Sequence, residues 1–153
     1  MSTVIPGTNS YQTAIIGAGC AGLTLGYHLI GSKSEPIVLI DGQANRKDHL
    51  WSYWDNNHDS LLLPRPFIKK QWAKWAIRTQ NKEVIRTGTR FKYVCLSSAH
   101  FESHLLKEIE NANGTVLREN VTGLNIENGT KLLQLSNGDG LKIVLSVCFV
   151  LCC

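Results

Sequence analysis

Tyr11-Gln12-Thr13-Ala14-Ile15-Ile16-Gly17-Ala18-Gly19-Cys20-Ala21-Gly22 is the stretch on which the fold turns. Ala14-Ile15-Ile16 is apolar without alternation, which suits a strand buried on both faces of a parallel sheet. The glycine turn follows at once, and the apolar residues 23–30 predict a helix that stops at Gly31 and Ser32. After Glu35-Pro36, the run Ile37-Val38-Leu39-Ile40 predicts a second apolar strand, ending at Asp41. Strand, turn, helix and strand span about 30 residues, the context that gives such a glycine pattern its meaning.

The spacing has a chemical reason. Gly17 lets the chain turn sharply out of the strand, Gly19 removes a side chain where a pyrophosphate must approach the backbone, and Gly22 allows helix and strand to pack closely. Ala18, Cys20 and Ala21 complete the turn, where the opening helix offers unpaired N–H groups to phosphates. Gly26, one helical turn further on, extends the small-residue face. Asp41 lies 19 positions after Gly22, where an acid can accept hydrogen bonds from a ribose diol. A purely structural glycine turn and an ordinary loop acid are the bland alternatives. The agreement of strand, helix, second strand and terminal acid favours dinucleotide binding.

Beyond Asp41 the chain becomes polar and aromatic, with Asp48-His49-Leu50-Trp51-Ser52-Tyr53-Trp54, then Trp72 and Trp75, then Arg90-Phe91-Lys92-Tyr93 leading to Ser97-Ser98-Ala99-His100-Phe101. With the glycine turn and Asp41, this order resembles the bacterial-type lycopene cyclases, flavoproteins of carotenoid synthesis. Their pattern places an Asn-His-Thr-Trp-Ser-Phe-like stretch soon after the acid. His49, Trp51 and Ser52 match it, whereas Asp48, Leu50 and Tyr53 depart from it. The resemblance covers nearly all of residues 11–135.

The resemblance implies an α/β, Rossmann-like FAD-binding fold of the glutathione-reductase-like type, with an added β segment. It implies FAD in its reduced form, NAD(P)H as the reductant, and a lipophilic polyene, lycopene, as the substrate, held in a second, hydrophobic domain. Ring closure would proceed without net redox change: a proton adds to a terminal double bond, the carbocation cyclises, and a proton leaves. His49 and Trp51 are implied neighbours of flavin or substrate, and Val121 is implied to lay a backbone edge against the adenine. A core valine is the equal alternative for Val121. The family's acidic catalytic motif lies beyond residue 153, so the catalytic residues are unknown and the chain is expected to be a truncated N-terminal portion, inactive alone. On this reading residues 1–10 are a tail and 11–153 an incomplete FAD-binding domain. Residues 65–95 begin the β segment of the substrate domain, and 141–153 form an atypical apolar tail rich in cysteine. Another FAD-dependent oxidoreductase or monooxygenase of the same superfamily, and a non-catalytic dinucleotide-binding module, are the rival readings.

Composition sets the outer bounds. The 153 residues carry 16 Lys and Arg against 12 Asp and Glu, and 43% are hydrophobic, so disorder is excluded and one domain at most is expected. No apolar run reaches about 18 residues, and Met1 to Ser10 show no secretory signal, so a cytoplasmic location is expected. Residues 65–92 hold Arg65, Lys69, Lys70, Lys74, Arg78, Lys82, Arg86, Arg90 and Lys92 against Glu83, a local balance of +8. With Trp72 and Trp75 among these cations, the segment could rest on the inner face of an anionic membrane. A solvated strand pair with basic edges is the alternative, and no nucleic acid partner is expected. Ser98 predicts the cap of a helix over 99–112 with its exit at Asn113-Gly114. Strands follow at 115–117, 121–126 and 131–135, with a hairpin at Asn128-Gly129. His100 and His104 stand four apart but lack a third ligand, and Asp55, His58 and Asp59 lie in a polar loop, so no metal site is expected.

Overall fold

A computed structural model describes residues 9–30, 36–43, 47–88 and 90–150. Along the chain run β1 (Asn9–Ile16), α1 (Cys20–Ile30), β2 (Ile37–Ile40), β3 (Leu50–Asp55), β4 (Ile68–Trp72), β5 (Lys74–Arg78), β6 (Glu83–Thr87) and β7 (Lys92–Ser97). Then come α2 (Ser98–Asn111), β8 (Thr115–Leu117), β9 (Val121–Glu127), β10 (Thr130–Leu135) and β11 (Gly140–Phe149). They form two compact units, residues 1–46 with 102–153, and residues 47–101. The second is thus an insertion in the connection from β2 to β8, and α2 carries the chain back into the first.

The first unit is a six-stranded sheet in the order β8-β2-β1-β11-β10-β9. β8, β2, β1 and β11 are mutually parallel, while β10 and β9 complete an antiparallel meander. All four residues of β2 are buried, as its unbroken apolar run requires of a strand covered on both faces. Ile15, Val38, Leu39, Leu105, Ile109 and Ile143 are fully buried; each such side chain contributes roughly 1.5–3 kcal/mol on leaving water. A Cβ on Gly26 would lie 3.1 Å from both Ile109 Cδ1 and Leu39 Cδ1, so the small face expected of α1 seats it against β2 and α2.

Helix α1 begins at Cys20, inside the glycine motif, because Leu23 N–H already closes on the Gly19 carbonyl (2.9 Å). Its expected stop at Gly31 and Ser32 lies outside the described residues, as does Glu35. The stretch from Leu141, read as an apolar tail, is a strand as far as Phe149. Leu141 and Ile143 point into the core and Lys142 and Val144 out of it, and the backbone pairs with β1 along its whole length. Alternation and an open β1 edge together make a strand of what composition alone presents as a tail. Asn9 and Ser10 likewise belong to β1; residues 1–8 and 151–153, with Cys152 and Cys153, lie outside the described residues. The Asn128-Gly129 hairpin has positive φ at both positions (49° and 79°), the geometry that this dipeptide favours. Asn113 (φ 63°) supplies the left-handed exit from α2.

The second unit holds a three-stranded antiparallel sheet, β3-β7-β4, and the hairpin β5-β6. It starts at residue 47, so β3 belongs with the segment expected from residue 65. Two carboxylates organise it. The Asp48 carboxylate accepts from the hydroxyls of Ser97 (2.8 Å) and Ser98 (3.4 Å) and from Ala99 N–H (3.2 Å). It therefore caps α2, while the Ser98 hydroxyl accepts from His49 N–H (2.9 Å). The cap expected from Ser98 itself comes from 50 residues upstream because an anion serves a helix N-terminus better than a neutral hydroxyl. Buried Asp55 takes two bonds from the Arg65 guanidinium, both 3.1 Å. Arg65 is thereby a structural partner and not one of the outward-facing cations. Among the described residues, no helix is long and apolar enough to cross a membrane.

Candidate functional site

In the first unit, the carboxyl ends of the four parallel strands enclose a crevice of about 380 Å³. Ile16, Gly17 and Gly19 line it after β1, Ile40 through Gln43 after β2, Glu119 through Val121 after β8, and Val150 after β11. Its floor is the continuing ladder: Gly17 N–H donates to Ile40 O (2.8 Å), Asp41 N–H to Leu117 O (3.0 Å), and Val150 N–H to Ile16 O (2.9 Å). The crevice lies at the position where parallel α/β sheets bind ligands, outside strand ends that diverge from a central strand.

Gly17 holds a φ of +100°, and a Cβ there would come within 2.6 Å of the Val150 carbonyl oxygen. Only glycine meets both demands. A Cβ on Gly22 would overlap the carbonyl oxygen of Gly17, so Gly22 packs the first turn of α1 onto the glycine turn itself as well as onto the strand. Ala18 is buried and its N–H donates to Asp41 Oδ2 (2.6 Å); Gly19 is buried, and Cys20 and Ala21 are exposed on the first turn of α1. The other carboxylate oxygen of Asp41 accepts from Gln43 N–H (2.9 Å). These two amides fix the Asp41 carboxyl beside the turn.

Of the residues singled out in the sequence, Gly17, Gly19, Asp41 and Val121 therefore share one crevice. Val121 also packs against the core cluster of Ile40, Leu135 and Ile143, as the core-valine reading expects. Gly42, Gln43, Glu119, Asn120 and Val150 line the same space and were not singled out. Only their place at the strand ends marks them, and that needs the sheet order. His49 and Trp51 belong to the second unit. His49 is exposed and its backbone carbonyl accepts from Ser98 N–H (2.8 Å). Trp51 packs edge-on to Phe101, with ring centroids 6.0 Å apart, as a core side chain would.

The alternation of β3 turns Trp54 to the opposite, exposed face from Trp51. There Trp54, Trp75, Ala76, Ile77, Phe91 and Tyr93 line an apolar cavity of about 540 Å³. Trp54 meets Trp75 at 5.3 Å and Tyr93 at 5.0 Å between ring centroids, and Lys70 and Arg90 lie over the rings of Trp72 and Phe91. The Tyr53 hydroxyl is buried without a hydrogen-bond partner, and burial pushes the phenol's pKa up. The Arg65 guanidinium holds the Asp55 carboxyl below the usual carboxylate range, and the Ser97 hydroxyl does the same for Asp48. His104 lies against Tyr27. Among the described residues, no three His, Cys, Asp or Glu could share a metal ion.

Residues 12–150 match the family described as Lycopene cyclase protein. An uncharacterized oxidoreductase of Bacillus velezensis, CzcO, is 40% identical over 53 residues, 35% of this chain and 14% of that protein. The halogenase PltM superposes with a TM-score of 0.68 at 13% identity, over 90% of this chain and 34% of its own; it has been crystallised with phloroglucinol and FAD. A geranylgeranyl bacteriochlorophyll reductase-like protein from Thermoplasma acidophilum gives 0.65 at 19% identity, over 94% of this chain and 40% of that one. For the p-nitrophenol 4-monooxygenase PnpA of Pseudomonas putida the values are 0.67 and 12%, over 91% and 40%. The chain thus spans a third to two fifths of these structures, which share its flavoprotein-type α/β fold. The family match runs from residue 12 to residue 150, through both units, and the chain belongs to the lycopene cyclase family.

Proposed function

We propose that this chain provides the FAD-holding part of a lycopene cyclase, which closes rings at polyene ends without net redox change. The observation that carries this reading is the crevice where the Gly17–Gly22 turn, the start of α1 and the anchored Asp41 carboxyl converge. Its volume falls within the range of small-molecule sites, roughly 300–1,000 Å³. The residues present suit an adenine dinucleotide. Backbone amides at the head of α1 would hold the diphosphate, Asp41 would accept the ribose hydroxyls, and the backbone at Val121 would lie along the adenine. Bound and reduced, FAD would supply an electron-rich ring to stabilise positive charge on the polyene, with NAD(P)H keeping it reduced.

The second unit offers the polyene a surface of matching character. Trp54, Trp75 and Tyr93 line the cavity, and aromatic rings attract carbon skeletons and cations alike. Lys74 and Arg78 share β5 with Trp75, Lys70 lies on β4 and Arg90 precedes β7, and these cations would set this surface against an anionic bilayer from which a lipid-soluble polyene is drawn.

Titrating the protein with FAD and following flavin fluorescence tests the reading. Saturable uptake of one FAD per chain supports it, and folded protein that takes up none overturns it. The 53-residue stretch shared with an oxidoreductase favours a second reading, an FAD-dependent oxidoreductase. Net consumption of NAD(P)H per product would mark that reading, and cyclised product without such consumption would mark the cyclase.

A further inference from the structure

The sequence holds three Asn-Gly pairs, Asn113-Gly114, Asn128-Gly129 and Asn137-Gly138, and the fold binds them unequally. Asparagine is thermally labile, most of all before glycine, whose missing side chain leaves its nitrogen free to reach the asparagine amide. At the exit of α2, the Gly114 N–H donates to Ile109 O (2.8 Å) and the Asn113 N–H to Glu110 O (3.0 Å). A Cβ on Gly114 would strike the Ile109 side chain, so that glycine is packed as well as bonded. In the turn after β10, the Gly138 N–H donates to Leu135 O (3.0 Å). The Asn137 side chain is tied at both ends there, its Nδ2 donating to Asp139 Oδ2 (2.8 Å) and its Oδ1 accepting from Asp139 N–H (2.9 Å). At the β9–β10 hairpin, Asn128 and Gly129 are both exposed, and nothing lies within 4 Å of a Cβ built on Gly129. Among the described residues, neither the Asn128 side chain nor the Gly129 N–H meets a hydrogen-bond partner.

We propose that Asn128 is a modification site: it deamidates spontaneously in the folded protein, ahead of Asn113 and Asn137 and independently of what the crevice binds. The Gly129 nitrogen loses its proton and attacks Asn128 Cγ. The N–Cγ bond forms, the Cγ–Nδ2 bond breaks, and ammonia leaves with the proton. Water then opens the cyclic imide at one carbonyl or the other, giving aspartate or isoaspartate. Ring closure needs the peptide between Asn128 and Gly129 to rotate out of its turn, and here no bond to either reacting group has to break first. At each of the other two pairs at least one does, and a hydrogen bond of ordinary net worth slows the reaction about fivefold. The aspartate product suits the same turn, since Asp-Gly is a favoured hairpin dipeptide. The isoaspartate product adds a methylene to the main chain of a two-residue turn, which strains the pairing of the edge strand β9 with β10.

Incubating the folded full chain in mildly alkaline buffer, and following its tryptic peptides by mass spectrometry, tests this. Arg118 and Lys131 place the three pairs in different peptides. Each rate is divided by that of the same site in denaturant, which removes the effect of neighbouring sequence. On that scale Asn128 should deamidate at least about fivefold faster than Asn113 or Asn137. An isoaspartate-specific carboxyl methyltransferase, added as a probe, should label the peptide of residues 119–131 first. Asn128→Asp should remove the early release of ammonia and leave the other two rates unchanged. Equal scaled rates at the three sites, or a slower one at Asn128 than at either of the others, overturns the proposal, as does ammonia released equally early from Asn128→Asp.

Discussion

Gly22 and Gly26 stand one turn apart on α1, and replacing each with alanine separates backbone packing from helix propensity. A Gly-to-Ala change gains about 1 kcal/mol of propensity in a helix interior, which applies at Gly26 and is an upper bound at Gly22 in the first turn. At Gly26 the new methyl would lie 3.1 Å from Ile109 Cδ1 and Leu39 Cδ1, flexible ends that give way at a cost of about 1 kcal/mol. Gly26→Ala should therefore be close to neutral. At Gly22 the methyl would overlap the Gly17 carbonyl oxygen, which is held by a turn at φ +100° and cannot rotate aside. Overpacking against a fixed backbone atom falls at or above the upper end of the usual range, about 3 kcal/mol, so Gly22→Ala should lose about 2 kcal/mol net. With a urea slope of about 1–3 kcal/mol per molar, its midpoint should fall by about 1 M. The assay is far-UV circular dichroism, because all four tryptophans lie in the second unit and their fluorescence reports that unit. Equal midpoints for the two variants would refute the close seating of α1 on the glycine turn.

Two further outcomes concern the second unit. Asp48 and Asp55 both have folded pKa values below the ordinary carboxylate value, held down by the Ser97 hydroxyl and by Arg65. Their stabilisation is present above the unfolded value and is lost as pH falls through the lowered folded values. The tryptophan-detected urea midpoint should hold steady from pH 7 to about 5 and drop below about pH 4, with a shallower drop in Asp55→Asn; a midpoint that rises on acidification contradicts this. Tyr53→Phe removes a buried hydroxyl that has no partner, so it should leave stability unchanged or raise it by up to about 1–2 kcal/mol. A loss of that size, read from the same midpoint, would mean that the hydroxyl is satisfied.

Much of the first unit was legible because its signals are local. The uninterrupted apolar run of β2, the glycines before α1 and the Asn-Gly hairpin each impose their structure over a few residues. What escaped depends on partners far apart in sequence. Leu141 to Phe149 becomes a strand by pairing with β1. Ser98 loses its expected capping role to Asp48, and Arg65 turns to Asp55. At the site, Gly17, Gly19 and Asp41 are marked by spacing, since one strand-turn-helix-strand unit brings them together. Glu119 and Asn120 arrive through β8, whose place beside β2 is set by packing after a long insertion. Trp51 and Trp54 show the limit of motif reading: they are three apart on one strand, so alternation sends the matched residue into packing with Phe101 and the unmatched one to the cavity.

The central claim is that main-chain amides at the head of α1 grip an adenine dinucleotide. A crystal structure of the protein grown with FAD tests it most directly. The account predicts the diphosphate within hydrogen-bond distance of amides in residues 17–22 and a ribose hydroxyl on the Asp41 carboxylate. FAD bound elsewhere, with that crevice closed by side chains, would contradict it.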